Sequence, residues 1–138
     1  MPKATDKEFS LYSLTEELLQ AVNSLDLPRL RSMVDDDFGI VDVDPEGKTV
    51  VIDDMQEWQD YMHKNMLLME QMKAELSFEI NEYNEQVEEN MAYVVVNFSQ
   101  HVAFQGKQMR HDCISTVIWK KTENGWKEAR WHCSRLPN

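Results

Sequence analysis

Polar side chains alternate with small or apolar ones along the C-terminal segment of the sequence. Since successive side chains of a β-strand point to opposite faces, this spacing places the polar groups on one face. An arginine offers a bidentate fork to an oxyanion, and a histidine titrates near neutral pH. Arg130 and His132 therefore predict a positive spot that suits a small ligand with a carboxylate or enolate oxygen. The polar positions are Glu128, Arg130, His132 and Ser134, and the intervening ones are Ala129, Trp131 and Cys133.

Three helices are predicted in the first half of the chain. Apolar residues at helical spacing indicate a first helix from about Asp6 to Asn23. Asp26 is a typical N-cap for a short second helix, and Asp53 for a third. Large apolar residues recur every three or four positions along this helix, which predicts a helix face buried in the core. They are Met55, Trp58, Met62, Met66, Met69 and Met72.

Strands and tight turns follow the helices. Proline presets φ and glycine permits positive φ, so residues 44–47 (Asp-Pro-Glu-Gly) indicate a turn between two short strands. Four longer strands come after the third helix, the last two joined by a hairpin at Asn124-Gly125. Helices first and hairpins afterwards indicate an α+β fold. The predicted strands cover residues 38–43, 49–52, 74–87, 92–104, 109–121 and 126–134.

Composition excludes several classes of function. Fourteen basic and 25 acidic side chains give a net charge of −11, which repels a phosphate backbone, so no nucleic-acid partner is predicted. No run of about 18 apolar residues spans a membrane, and two distant cysteines with no apolar leader favour the cytoplasm. His63, His101 and His111 lack the spacing of zinc ligands, and no glycine-rich phosphate loop occurs. We therefore predict no metal and no cofactor.

The order of elements and several short motifs resemble a known superfamily. The chain resembles the nuclear transport factor 2-like superfamily in its SnoaL-like branch, and locally the association domain of calcium/calmodulin-dependent protein kinase II. The resemblance implies one domain over residues 1–138, with three N-terminal helices packed in a strongly curved, mixed but mostly antiparallel sheet of about six strands. It also implies a pocket and a homodimer formed through the sheet face. The matching pieces are Ala92-Tyr93, Val117-Ile118-Trp119, Gly125, Lys127, Trp131-His132-Cys133-Ser134 and Pro137.

Registered on this superfamily, the strands predict which side chains face the pocket. Tyr93 and Asn97 are expected to line one strand, Ser115 the next, and the polar row at 128–134 the last. In this interpretation Arg130 and Glu128 bind the ligand, and His132 takes part in catalysis. Alternatively, Glu128, Arg130 and His132 form a satisfied polar network at the dimer seam. Both interpretations remain open at the level of sequence.

Ketosteroid isomerases on this scaffold provide a test of enzymatic chemistry. Their mechanism needs a carboxylate base and two hydrogen-bond donors for the oxyanion. Aligned on the turn, Asp44 falls where the isomerase base lies, but Leu18 and Ser115 fall where the two donors lie. Isomerase chemistry of that kind is therefore disfavoured. Asp44 is interpreted either as a turn residue that caps the backbone or as a catalytic base.

Three functions are consistent with these observations. The first is a dimeric pocket protein that binds a small organic ligand. The second is an acid–base enzyme (an isomerase, dehydratase or cyclase) that uses Asp44 or His132. The third is a self-association module like the kinase association domain. The missing oxyanion donors favour the first.

Overall fold

The helices and strands follow the predicted order. The computed structural model describes residues 10–44 and 47–137. None of the described helices has both the length and the apolar composition that a membrane-crossing helix requires. The elements are α1 (Tyr12–Asn23), α2 (Leu27–Met33), β1 (Val34–Val43), β2 (Thr49–Ile52), α3 (Met55–Met72), β3 (Glu75–Val87), β4 (Met91–Phe104), β5 (Lys107–Thr122) and β6 (Gly125–Arg135).

Aspartate side chains cap the second and third helices. The Asp26 carboxylate accepts a hydrogen bond from the Arg29 N–H at 3.3 Å, as predicted for α2. The cap of α3 is Asp54, whose Oδ1 accepts from the Glu57 N–H at 2.8 Å, so the predicted cap at Asp53 is wrong by one residue. The predicted start of the first helix, at Asp6, lies outside the described residues.

The six strands form one curved, open sheet, which confirms the predicted α+β fold. The strand order is β2-β1-β6-β5-β4-β3. Strands β1 and β6 pair in parallel, and every other neighbouring pair is antiparallel. Through this parallel pair, β1 and β2 from the N-terminal half of the chain extend the sheet at the β6 edge of the antiparallel strands β3 to β6.

The two faces of the sheet differ in what covers them. The inner face packs against the helices and carries fully buried side chains such as Val94, Val117 and Trp119, which meet Leu18 of α1 and Leu30 of α2 in one core. The outer face of β4, β5 and β6 is not covered by any described helix, and its side chains are partly exposed. The inner face therefore holds both the core and the site described next.

Candidate functional site

A cavity opens between helix α3 and the inner face of β4, β5 and β6. Its volume is about 270 Å³, just below the range of roughly 300–1,000 Å³ that is common for ligand pockets. On the methionine face of α3, Trp58 and Met62 are buried in the core as predicted, and both also line the cavity together with the less buried Met69 and Met72. The wall is largely apolar and includes Met62, Met69, Met72, Phe98, Phe104 and Trp131.

Polar groups from four elements line one part of this cavity. Strand β1 and the residue after it supply Asp42 and Asp44, which share a face because they are two residues apart. Helix α3 supplies Tyr61, β5 supplies His111, and β6 supplies Arg135. The charges of Arg135 and the two aspartates shift the pKa values of the neighbouring titratable groups. These side chains therefore form one electrostatic unit.

Asp42 is the buried acid of this unit. Burial raises the pKa of its carboxyl, because an ion loses solvation in an apolar surrounding. Four smaller effects oppose this rise in pKa: the Val43 N–H donates to Oδ1 at 2.7 Å, the Cys133 thiol lies beside the carboxylate, and Arg135 and His132 act through their charges. Asp42 is therefore better able than a surface aspartate to hold a proton and pass it on.

The other titratable groups at the polar end favour their neutral forms. Burial raises the pKa of the Tyr61 phenol, which then keeps its O–H as a donor. Burial, followed by the charge of Arg135, lowers the pKa of His111, so this imidazole is neutral near pH 7. The polar end thus combines a protonatable carboxyl, a phenol, an imidazole and one guanidinium.

Asp44 borders the cavity and is the first residue of the predicted turn, whose central residues 45 and 46 lie outside the described residues. Its Oδ1 accepts a hydrogen bond from the Lys48 N–H at 2.9 Å, and its main-chain oxygen accepts from the Gly47 N–H at 2.9 Å. Arg135 also donates to that main-chain oxygen, at 3.2 Å. The carboxylate thus caps the turn, as one of its two interpretations predicts.

The outer face carries most of the residues that the sequence assigned to the pocket. Three rows of paired residues cross β4, β5 and β6 there, and we call these nine residues the outer patch. Tyr93 is 44% exposed, and neither it nor Asn97, Arg130 or His132 lines the cavity. The prediction that these four side chains face the pocket is therefore wrong. The rows are Tyr93-Ile118-Arg130, Val95-Thr116-His132 and Asn97-Ile114-Ser134.

Comparison with known proteins identifies the family. The sequence profile of the SnoaL-like domain matches residues 12–138, which is nearly the whole chain. The chain belongs to the SnoaL-like domain family. A comparison with curated proteins finds no matching sequence.

Solved structures confirm that this SnoaL-like domain has the nuclear transport factor 2 (NTF2)-like fold. It is similar to an NTF2-like protein of unknown function in nutrient uptake from Rhodospirillum rubrum (22% identity, TM-score 0.68, covering 92% of this chain and 98% of that one). The association domain of C. elegans CaMKII is similar as well (15%, 0.71, 94% and 95%). A third similar structure is a putative dehydratase of the NTF2-like family from Streptomyces avermitilis (18%, 0.71, 96% and 99%). At these identities the likenesses show the fold.

Arg130 and His132 of the SnoaL-like domain make contacts on the outer face. The Arg130 guanidinium donates to the main-chain oxygens of Asp37 at 2.6 Å and Ala129 at 2.7 Å, and it lies 3.4 Å from an Asp37 carboxylate oxygen. The His132 ring nitrogen Nε2 and the Ser134 hydroxyl are 2.9 Å apart. Arg130, the cation of the predicted positive spot, therefore lies on the surface of the sheet, paired with Asp37, and not at the cavity.

A β-bulge separates Glu128 from the rest of its row. Ile118 pairs with Arg130, but the next residue of β5, Trp119, pairs with Glu128, which leaves Ala129 as the extra residue. The bulge turns Glu128 to the inner face, where its side chain is fully buried beside Trp119. Glu128 and Arg130 thus point to opposite faces, and the prediction that they lie side by side on one face is wrong.

Ser115 and Glu128 are both interior without lining the cavity. Each has no measurable exposure, and Ser115 faces inward as predicted. Burial raises the pKa of the Glu128 carboxyl to about 8, and the smaller effect of the Arg130 charge opposes this rise. Within residues 10–44 and 47–137, neither Glu128 oxygen has a hydrogen-bond partner. Glu128 is therefore a protonated core residue at neutral pH.

Sequence reasoning missed the residues that form the polar end of the cavity. Asp42 has the same strand parity as Asp44, and Arg135 continues the inward row of Trp131 and Cys133. Tyr61 lies one turn before Asn65, which also lines the cavity. Among the described residues, no three histidine, cysteine or acidic side chains are grouped as metal ligands.

Proposed function

We propose that this SnoaL-like domain binds a small organic ligand in the cavity under helix α3. The observation that carries the proposal is the pairing of an apolar, methionine-rich wall with one polar end. Such a site holds a hydrocarbon body by burial and orients it through a few hydrogen bonds. The modest volume, about 270 Å³, favours a compact ligand. Tyr61 and Arg135 supply donors, so the ligand carries a carbonyl, hydroxyl or carboxylate oxygen.

Binding is measurable with the neutral fluorophore N-phenyl-1-naphthylamine, whose emission rises in an apolar site. We expect saturable binding to the unmodified chain. Met69→Trp should weaken it about tenfold, a cost of about 1.4 kcal/mol, because the larger ring fills the cavity. Leu67→Trp is the matched control, since Leu67 lies on the same helix but is exposed and does not line the cavity. Equal affinity in the two variants would contradict the proposed site.

We further propose that two copies of the domain associate through the outer patch. The patch carries one aromatic and several aliphatic side chains, and no described helix covers it. None of its nine residues is acidic, although the chain has a net charge of −11. Because the chain is acidic, two copies repel each other least when their outer patches, which carry no acidic residue, face each other. The similar kinase domain, described as an association domain, supports this proposal.

Proton transfer by Asp42 is a second candidate function. Its buried carboxyl borders the cavity, with its pKa raised by that burial. A base of that kind can remove a proton from a bound substrate. The similar structure described as a putative dehydratase is consistent with acid–base chemistry. Asp44 caps the turn and His132 lies on the outer patch, so the proposal assigns this role to Asp42.

The elimination of 5-nitrobenzisoxazole tests this candidate. In that reaction a base removes the ring C–H proton, the electron pair forms a nitrile, and the N–O bond breaks to release a coloured phenolate. We expect turnover to rise with pH as Asp42 ionises, with a midpoint above the ordinary value of about 3.9. Asp42→Asn should lower the rate by about a hundredfold or more. If Asp44→Asn abolishes turnover and Asp42→Asn does not, the assignment to Asp42 is wrong.

A further inference from the structure

Two free thiols lie next to each other on the wall of the cavity. Cys113 of β5 and Cys133 of β6 are both buried, and both line the cavity. Cys113 pairs with Arg135 and Cys133 with Ser115, so the two cysteines are diagonal neighbours on the inner face. Their side chains are close enough for the Cys133 thiol to shift the pKa of Cys113. Neither proposed function uses these thiols.

The surroundings make the two thiols unequal. The hydrogen bond from Cys133 lowers the pKa of Cys113, burial opposes it, and Arg135 adds a smaller lowering. The same hydrogen bond, together with burial and the nearby Asp42, raises the pKa of Cys133. The main-chain oxygen of His111 is 3.7 Å from the Cys113 sulfur. The His111 imidazole is neutral at pH 7. Cys113 is thus the better nucleophile, and Cys133 is its hydrogen-bond donor.

We propose that Cys113 is a site of covalent addition for small α,β-unsaturated carbonyl compounds that enter the cavity. The Cys113 thiolate forms a bond to the β-carbon, and the π electrons of the alkene move to the carbonyl oxygen. The α-carbon of the resulting enolate then takes a proton from the Asp42 carboxyl, which regains one from solvent. The product is a thioether, and no oxidant or reductant is consumed.

The geometry favours an adduct over a disulfide between the two cysteines. Diagonal neighbours on antiparallel strands have Cα atoms about 7–8 Å apart. A disulfide requires a Cα separation below about 7 Å. Joining Cys113 to Cys133 would therefore require the strands to move. A ligand in the cavity meets Cys113 without such movement, because that thiol already lines the wall.

Reaction of the folded chain with 2-cyclohexen-1-one, followed by mass spectrometry and peptide mapping, tests the proposal. We expect one adduct, on Cys113, formed about tenfold faster at pH 7 than on an ordinary thiol. Cys133→Ala removes the hydrogen-bond donor and should move the pH profile of the reaction upward. Arg135→Gln should move it in the same direction by less, and it provides a second test if Cys133→Ala does not fold.

Controls separate this inference from the proposed functions. Met69→Trp should slow the addition, and Leu67→Trp should not. Adducts on both cysteines at equal rates, or a pH profile unchanged in both Cys133→Ala and Arg135→Gln, would overturn the inference. Fluorophore binding without reaction at Cys113 would overturn it and leave the binding proposal intact. Reaction at Cys113 without fluorophore binding would support the inference and contradict the binding proposal.

Discussion

Glu128→Gln is expected to stabilise the protein at pH 8 and above by on the order of 4 kcal/mol and to change its stability little below pH 4.5. Below pH 4.5 the carboxyl is protonated in both the folded and the unfolded chain. As pH rises, the unfolded chain ionises first, while burial keeps the folded carboxyl protonated up to its pKa of about 8. The unfolded state then binds fewer protons, so the free energy of unfolding falls between pH 4.5 and 8.

Urea unfolding curves at pH 4.5, 6.5 and 8.5 measure this effect. The difference in unfolding free energy between Glu128→Gln and the unmodified chain isolates the carboxyl from other titrating groups. Glu123→Gln is the matched control, because Glu123 lies in the same β5–β6 hairpin but is exposed. A difference that stays constant across the three pH values would contradict the assignment of a protonated, buried Glu128.

The alternation of side chains predicts the strands of this fold but does not say which face is inside. On β6 the sequence offers a polar row and a row containing Trp131 and Cys133, and the apolar row is the one buried. Transfer from water favours that choice, because burying an arginine without a partner costs far more than exposing it. The inward register taken from the resemblance reversed this order. Tyr93 and Asn97 on β4 were misplaced with it.

The β-bulge at Ala129 could not be placed from the pattern alone. The sequence alternates from Glu128 to Ser134, and the two successive polar residues Lys127 and Glu128 interrupt it, but such a break does not say which strand pairing gains the extra residue. The bulge lies where β6 pairs with both β5 and the parallel strand β1, whose register also shifts between Val34 and Gly39. The side-chain pattern describes one strand at a time, whereas a register shift depends on how two strands pair.

The sequence predicted a helix cap correctly where one side chain and the backbone next to it determine the structure. Asp26 was predicted as a helix cap because a carboxylate accepts from the free N–H groups of the first turn. The choice between Asp53 and Asp54 for α3 failed, since either side chain can accept such a bond in the same sequence context. The cavity itself depends on how α3 packs across the sheet, which no local pattern contains.

Thr116→Glu is expected to convert the proposed dimer to monomers. Thr116 is the middle residue of the middle row of the outer patch, between Val95 and His132. In a twofold interface the same patch meets itself, so each substitution places two carboxylates near each other. Burying like charges without partners costs several kcal/mol, and we expect the dissociation constant to rise by at least about a hundredfold.

Sedimentation equilibrium at several protein concentrations distinguishes the outcomes. The control is Gln71→Glu, which adds the same charge at an exposed position on α3, away from the outer patch. If both variants have the mass of the unmodified dimer, the interface lies elsewhere. If the unmodified chain is itself a monomer, the outer patch does not drive association.

The patch and the cavity lie on opposite faces of one sheet, so Thr116→Glu should leave fluorophore binding unchanged. A variant that loses the dimer but still binds the fluorophore would assign the two proposed properties to separate surfaces.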